Sequence, residues 1–212
     1  MQHMKNVDDL MESAAELADR GLSKGEVADE LNVSRETASW LVDRAGGSSA
    51  PADVDREPQD VHVDWSTIGR DSGRLAHVSR AMADLLSKHG EDVDLTVGIE
   101  KAGAPIATMV GHVLDTDLAT YAPRKHQWEE GDIEDLGGGF SRNFATIRGR
   151  ECYVVDDTIT SGTTMRETIE AIRGAGGEPV CGVVLVDKQG LDAIENVPLY
   201  SLVQVIPVGR ER

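Results

Sequence analysis

The stretch CYVVDDTITSGTT, residues 152–164, decides the fold. Cys152, Tyr153, Val154 and Val155 form a short apolar run of the kind buried in a parallel sheet. At its carboxyl end stand Asp156 and Asp157, then a hydroxyl-rich loop with Gly162, then a helical pattern running to about Arg173. Open α/β sheets bind ligands in this place, outside the carboxyl ends of the strands. Backbone N–H groups at the start of a helix lack partners and carry partial positive charge, which suits a phosphate. Thr158, Thr160, Ser161, Thr163 and Thr164 supply short hydroxyls, and Gly162 lets the backbone approach closely. The paired carboxylates accept hydrogen bonds from vicinal hydroxyls, as on a ribose. The plain alternative is a strand followed by an Asp/Thr-capped helix with no ligand.

Working outward, VDLTVGIEKAGAPIATMVGHVL, residues 93–114, reads as strand, tight loop and helix. Val93, Leu95, Val97 and Ile99 alternate, Gly98 and Gly103 flank the loop, and Pro105 is expected to open the helix. Further strands are expected near 118–121, 180–186 and 201–208, with helices near 74–89 and 163–174. Strands alternating with helices predict an α/β fold whose parallel sheet is flanked by helices.

The 152–164 segment resembles the signature of the purine/pyrimidine phosphoribosyltransferase family, which binds phosphoribosyl pyrophosphate. The resemblance covers about residues 65–210 and implies a type I phosphoribosyltransferase-like sheet. It implies that Asp156 and Asp157 hold the ribose, and that residues 160–164 hold the 5′-phosphate. It also implies that Glu100, Lys101, Ala102 and Gly103 form a pyrophosphate loop, with Mg²⁺ accompanying any bound diphosphate and no metal held by the protein alone.

In orotate phosphoribosyltransferases a lid begins with an aromatic residue and Arg-Lys, then carries a Lys and a His before Gly. The matching stretch here is YAPRKHQWEEGDIEDLGGG, residues 121–139. Arg124, Lys125 and Gly131 match, while Trp128 and Glu130 stand where the second Lys and the His fall. Glu129, Asp132, Glu134 and Asp135 make the loop acidic, opposing the charge that grows on a leaving diphosphate. The departure favours binding over turnover, and an active orotate or purine phosphoribosyltransferase is the competing reading.

Upstream, AGGSSAPADVDREPQD, residues 45–60, has the composition of a linker. The domains expected are 1–44, a linker over 45–60, and 61–212. In the first block Val7, Leu10, Met11, Ala14, Leu17 and Ala18 recur at helical spacing, and Gly21 ends that helix. Ser23 and Glu26 predict a capping box for a second helix. Asn32 suits a tight turn, and Ser34 caps a third helix with Ala38, Leu41 and Val42 facing inward. Residues 21–44 resemble the helix-turn-helix of bacterial and archaeal regulators. That resemblance places Ser34, Arg35, Glu36, Thr37 and Ser39 against double-stranded DNA. A plain three-helix dimerisation element is the alternative, and ten acidic against five basic residues over 1–44 speak for it.

The combination of both blocks resembles the purine repressor of Gram-positive bacteria and, more closely, the haloarchaeal GfcR family of sugar-catabolism regulators. The resemblance implies a homodimeric regulator of sugar breakdown that senses a phosphosugar or phosphoribosyl pyrophosphate.

The 212 residues carry a net charge of −17, with 38 acidic residues against 21 basic and only 6 Lys. The chain is 40% hydrophobic and 4% aromatic, which excludes a wholly disordered protein and predicts an aliphatic core. The charge fits either a soluble acidic protein or a cytoplasm of very high salt, where the repulsion is screened. No apolar run approaches the ~18–20 residues needed to span a bilayer, and the first residues lack the apolar core of a signal peptide. A cytoplasmic protein is expected, with Cys152 and Cys181 as reduced, buried thiols.

Overall fold

The computed structural model describes residues 7–45, 60–89, 91, 93–123 and 139–206. The chain divides into two compact units, Met1–Asp64 and Trp65–Arg212.

The first unit holds α1 (Val7–Asp19), α2 (Lys24–Glu30) and α3 (Arg35–Ala45). Ser23 Oγ accepts the Glu26 amide while Glu26 Oε2 accepts the Ser23 amide at 2.7 Å, so two orphan donors at the start of α2 are satisfied reciprocally. Asn32 takes a positive φ of 51° in the turn that follows. Ser34 Oγ accepts the Thr37 amide at 3.1 Å and starts α3. Ala14, Val27, Ala28, Leu31, Val33, Ala38 and Leu41 bury together, with α3 packed on both α1 and α2. Val7, expected on the inner face, is 54% exposed at the first position of α1.

Two hydrogen bonds tie residues just before Trp65 to the helical unit. Asp60 Oδ2 accepts the Ser34 amide, and His62 Nδ1 donates to the Leu31 carbonyl. Those two bonds fasten residues 60–62 to the helical unit. Residues 46–59 of the expected linker lie outside the described residues.

The second unit begins with α4 (Ser66–Gly69) and α5 (Ser72–His89), then β1 (Leu95–Ile99), α6 (Gly103–Leu114), β2 (Asp117–Ala122), β3 (Gly139–Phe140), β4 (Glu151–Ile159), α7 (Thr163–Gly174), β5 (Glu178–Asp187), β6 (Ala193–Ile194) and β7 (Val197–Gln204). The strand order is β3-β2-β1-β4-β5-β7-β6. The inner strands run parallel, and the two-residue strands β3 and β6 pair antiparallel at the edges. Strand β1 is buried along its whole length, as a strand covered on both faces must be. Met165, Ile169 and Ile172 of α7 pack with Leu95, Val97, Val154 and Val184. Helices α5 and α6 pack against each other and against the sheet, α6 on β1 and β4.

Three element boundaries differ from expectation. Helix α6 starts at Gly103, so Pro105 sits inside the first turn, where its missing N–H is equally harmless. Strand β7 runs Val197–Gln204, because Val197 and Leu199 are drawn into the core. Strand β4 continues to Ile159 by pairing Thr158 with Val186 and Ile159 with Asp187. Asp156 and Asp157 are therefore strand residues and not loop residues.

Cys152 and Cys181 are free and buried, and burial pushes both thiols up to about 12. A thiol so shifted stays protonated and unreactive near neutrality.

Candidate functional site

Strands β1 and β4 are neighbours, with Gly98 opposite Val155. The loops leaving their carboxyl ends therefore meet. A Cβ at Gly103 would lie 2.7 Å from the Val155 carbonyl oxygen and 2.9 Å from Asp156 Oδ1. Only glycine permits this approach, and it brings the 100–103 loop against the acid of β4. Glu100 is held in place from β2: its amide donates to the Tyr121 carbonyl at 2.8 Å, and its Oε1 accepts the Thr120 hydroxyl at 2.8 Å. Lys101 is exposed at the tip of that loop.

On the β4 side, Asp156 is 8% exposed, and its Oδ1 accepts the Asp157 amide at 2.9 Å. Asp157 Oδ2 accepts two donors, Thr158 Oγ1 at 3.1 Å and the Trp65 indole nitrogen at 3.0 Å. Burial raises the Asp157 carboxyl above the ordinary carboxylate range, against the lowering effect of the hydrogen bonds it accepts. Gly162 then turns the chain at φ 74°, a left-handed conformation that glycine adopts without a Cβ penalty. No side chain caps α7 at that position. Its first intrahelical bond runs from the Arg166 amide to the Gly162 carbonyl at 3.0 Å, which leaves the amides of residues 163–165 without helical acceptors. Ser161 and Thr163 share a hydroxyl contact at 3.1 Å in front of that end, and both are exposed. Ser161 Oγ also accepts the Thr163 amide at 3.4 Å. Vicinal acceptors, a glycine-backed loop and a helix start with a glycine at its cap position thus converge at the carboxyl edge of one sheet.

Two residues escape a reading of the sequence. Trp65 reaches Asp157 across 92 positions. Asp187, 2% exposed at the end of β5, accepts the amides of Gln189, Gly190 and Leu191 at 2.8 to 3.0 Å. Gln189 Nε2 in turn donates to the Thr160 carbonyl, so Asp187 shapes the loop that braces residues 160–162. An Asp followed by Lys-Gln-Gly after an apolar run was the available signal, since Asp side chains fold such turns onto themselves. Nothing in the local pattern marks Trp65. Arg124 and Lys125 lie outside the described residues.

In the helical unit, Arg35 and Glu36 are exposed in the first turn of α3. Ser34 and Thr37 spend their hydroxyls on each other at 2.8 Å, and Ser39 Oγ accepts Lys24 Nζ at 2.7 Å beside Asp43. Arg44 lies over the Trp40 ring, 5.1 Å from its centroid. Among the described residues no three His, Cys, Asp or Glu side chains gather as a metal cluster, and no helix is long and apolar enough to cross a membrane.

The profile of the phosphoribosyl transferase domain matches residues 64–201. A protein of Halorubrum lacusprofundi named transcriptional regulator GfcR is 70% identical over 210 residues, covering 98% of this chain and all of that one. A protein of the same name from Haloquadratum walsbyi is 67% identical, covering 97% of this chain and 95% of its own. Among solved structures, adenine phosphoribosyltransferase from Thermoanaerobacter pseudethanolicus superposes with a TM-score of 0.56 over 71% of this chain and 91% of that one. At 16% identity that likeness speaks for the fold alone.

Proposed function

From a chain that belongs to the phosphoribosyl transferase domain family, and within it to the GfcR family of transcriptional regulators, we propose a DNA-binding regulator that senses a phosphorylated sugar. The observation that carries the proposal is the close approach of Gly103 to Asp156, on the same sheet edge as the glycine-headed start of α7. A 5-phosphate fits the amides and hydroxyls of residues 160–164, where the helix dipole favours an anion and where it would take over the Thr163 amide from Ser161 Oγ. The sugar's vicinal hydroxyls then face Asp156 and Asp157. A diphosphate at C1 would extend toward the 100–103 loop, and a cation accompanying it would be held largely by the ligand's own oxygens. Ribose 5-phosphate and phosphoribosyl pyrophosphate are the ligands this chemistry selects.

In the helical unit, Arg35 and Glu36 at the start of α3 are the side chains offered to a major groove. Two such helices about 34 Å apart read adjacent major grooves, so the working form is a homodimer. The regulated genes serve sugar breakdown, and the net charge of −17 suits a cytoplasm of high salt. In molar salt the counterion-release gain of a basic surface shrinks, which makes an acidic DNA reader physically reasonable.

Titrating phosphoribosyl pyrophosphate into an operator gel shift tests the reading. Operator affinity should change by roughly 5- to 150-fold at saturation, the usual range of allosteric coupling. Unchanged affinity at saturating ligand contradicts it. A parallel assay for diphosphate release against orotate and the purines should show no turnover; release at about 1–10³ s⁻¹ would mark an enzyme instead.

A further inference from the structure

We propose that Trp65 is a ligand-site residue through which this site reports that a sugar is bound: its indole and the ligand's hydroxyls compete for Asp157 Oδ2, and the ligand displaces the ring. The inference rests on the sugar-phosphate reading above and names how occupancy leaves the site.

Competition follows from the valence of one oxygen. Asp157 Oδ2 already accepts Thr158 Oγ1 at 3.1 Å and Trp65 Nε1 at 3.0 Å. A carboxylate oxygen offers about two lone-pair directions, so a hydroxyl arriving at Oδ2 must replace a donor. Thr158 is the adjacent residue in the same strand and is fixed there by pairing with Val186. Trp65 comes from 92 positions away and is the donor free to leave. Its ring rests on α4, where a Cβ at Gly69 would lie 2.6 Å from Cζ3. The indole N–H is a donor with no acceptor capacity, so once displaced it must find water or a new acceptor. Two discrete ring positions result.

The chain leading into the ring is fastened just upstream. Asp60 accepts the Ser34 amide and His62 donates to the Leu31 carbonyl. Ser34 caps α3 and Leu31 closes α2, so both bonds fall on the turn that orients the reading helix. His62 and Trp65 are three residues apart, at most about 10 Å of extended chain. A ring that leaves Asp157 therefore acts on a short segment anchored at the turn between α2 and α3.

Fluorine NMR of the full-length protein carrying 5-fluorotryptophan tests this, with the Trp65 resonance assigned from Trp65→Phe. Ribose 5-phosphate should move that resonance, 2-deoxyribose 5-phosphate (one adjacent hydroxyl fewer) should move it less, and inorganic phosphate should leave it in place. By calorimetry Trp65→Phe should bind ribose 5-phosphate about tenfold more tightly, equivalent to about 1.4 kcal/mol. Gly69→Ala, which pushes the ring off its seat while keeping the indole, should change affinity in the same direction. If ribose 5-phosphate binds the native chain but the resonance stays fixed and Trp65→Phe binds with native affinity, displacement is wrong and the sugar-phosphate reading stands. A shift produced equally by inorganic phosphate also overturns displacement. If the native chain binds no ribose 5-phosphate at all, the sugar-phosphate reading fails and this inference fails with it.

Discussion

In the helical unit the groups we propose for DNA sit side by side on one helix: Arg35 and Glu36 lie exposed in the first turn of α3, behind a cap three residues long. In the α/β unit the corresponding groups come from loops after two different strands and meet only because β1 lies beside β4. The first surface depends on a small aliphatic core and local caps. The second depends on sheet register, on a glycine too close to an acid for any side chain, and on donors arriving from far along the chain. A local motif survives as long as its helix survives, whereas an assembled site can fail while the fold remains.

That contrast can be broken most forcefully through Leu41, 1% exposed in the core of the helical unit. Leu41→Ala should cost about 2–5 kcal/mol. Operator binding should be lost while ribose 5-phosphate still binds by calorimetry. Loss of both together would mean that the units do not stand apart.

A paired test sharpens the division of roles. Asp157→Asn should weaken ribose 5-phosphate binding by about 1.5–3 kcal/mol, the worth of a hydrogen bond to a charged group, and leave operator affinity without ligand unchanged. Arg35→Ala should do the opposite, weakening operator binding by roughly 1–3 kcal/mol and leaving calorimetric ligand affinity intact. Equal loss of DNA binding in both variants would contradict separate sites.

A smaller effect concerns the local cap. Ser23→Ala removes the acceptor for the Glu26 amide and should lower the stability of the helical unit by about 1 kcal/mol in denaturant titrations. No change would show that the Glu26 side chain alone sustains the start of α2.

The smallest concerns pH. Burial raises the folded-state pKa of Asp157 above its unfolded value near ~3.9. Its contribution to stability is then fully present below the unfolded value and is lost as pH rises through the folded one. Asp157→Asn should therefore remove a shallow decline in stability that begins above about pH 4. An identical pH profile in both proteins would place the Asp157 carboxyl at its ordinary pKa.

The same contrast explains what could be read from sequence. The capping box of Ser23 and Glu26 and the turn at Asn32 were legible because each is decided within a few residues. The run from Cys152 to Thr164 was legible because strand, acids and glycine turn follow one another directly. The end of β4 was not, since pairing with Val186 and Asp187 of β5 extends the strand past both acids. Trp65 and Asp187 were missed for a related reason: each acquires its role from a partner outside its own neighbourhood. The attachment of Asp60 and His62 to the turn before α3 was likewise illegible, since neither residue is remarkable in composition.

The central claim is that a sugar phosphate seats its phosphate on the start of α7 and its hydroxyls on the acids of β4. A crystal structure of the protein soaked with ribose 5-phosphate tests it most directly. The account predicts phosphate density against the amides of residues 163–165, with the ring hydroxyls within about 3 Å of the Asp156 or Asp157 carboxylates. Density for the sugar elsewhere, or a collapsed and empty pocket at that edge of the sheet, would contradict it.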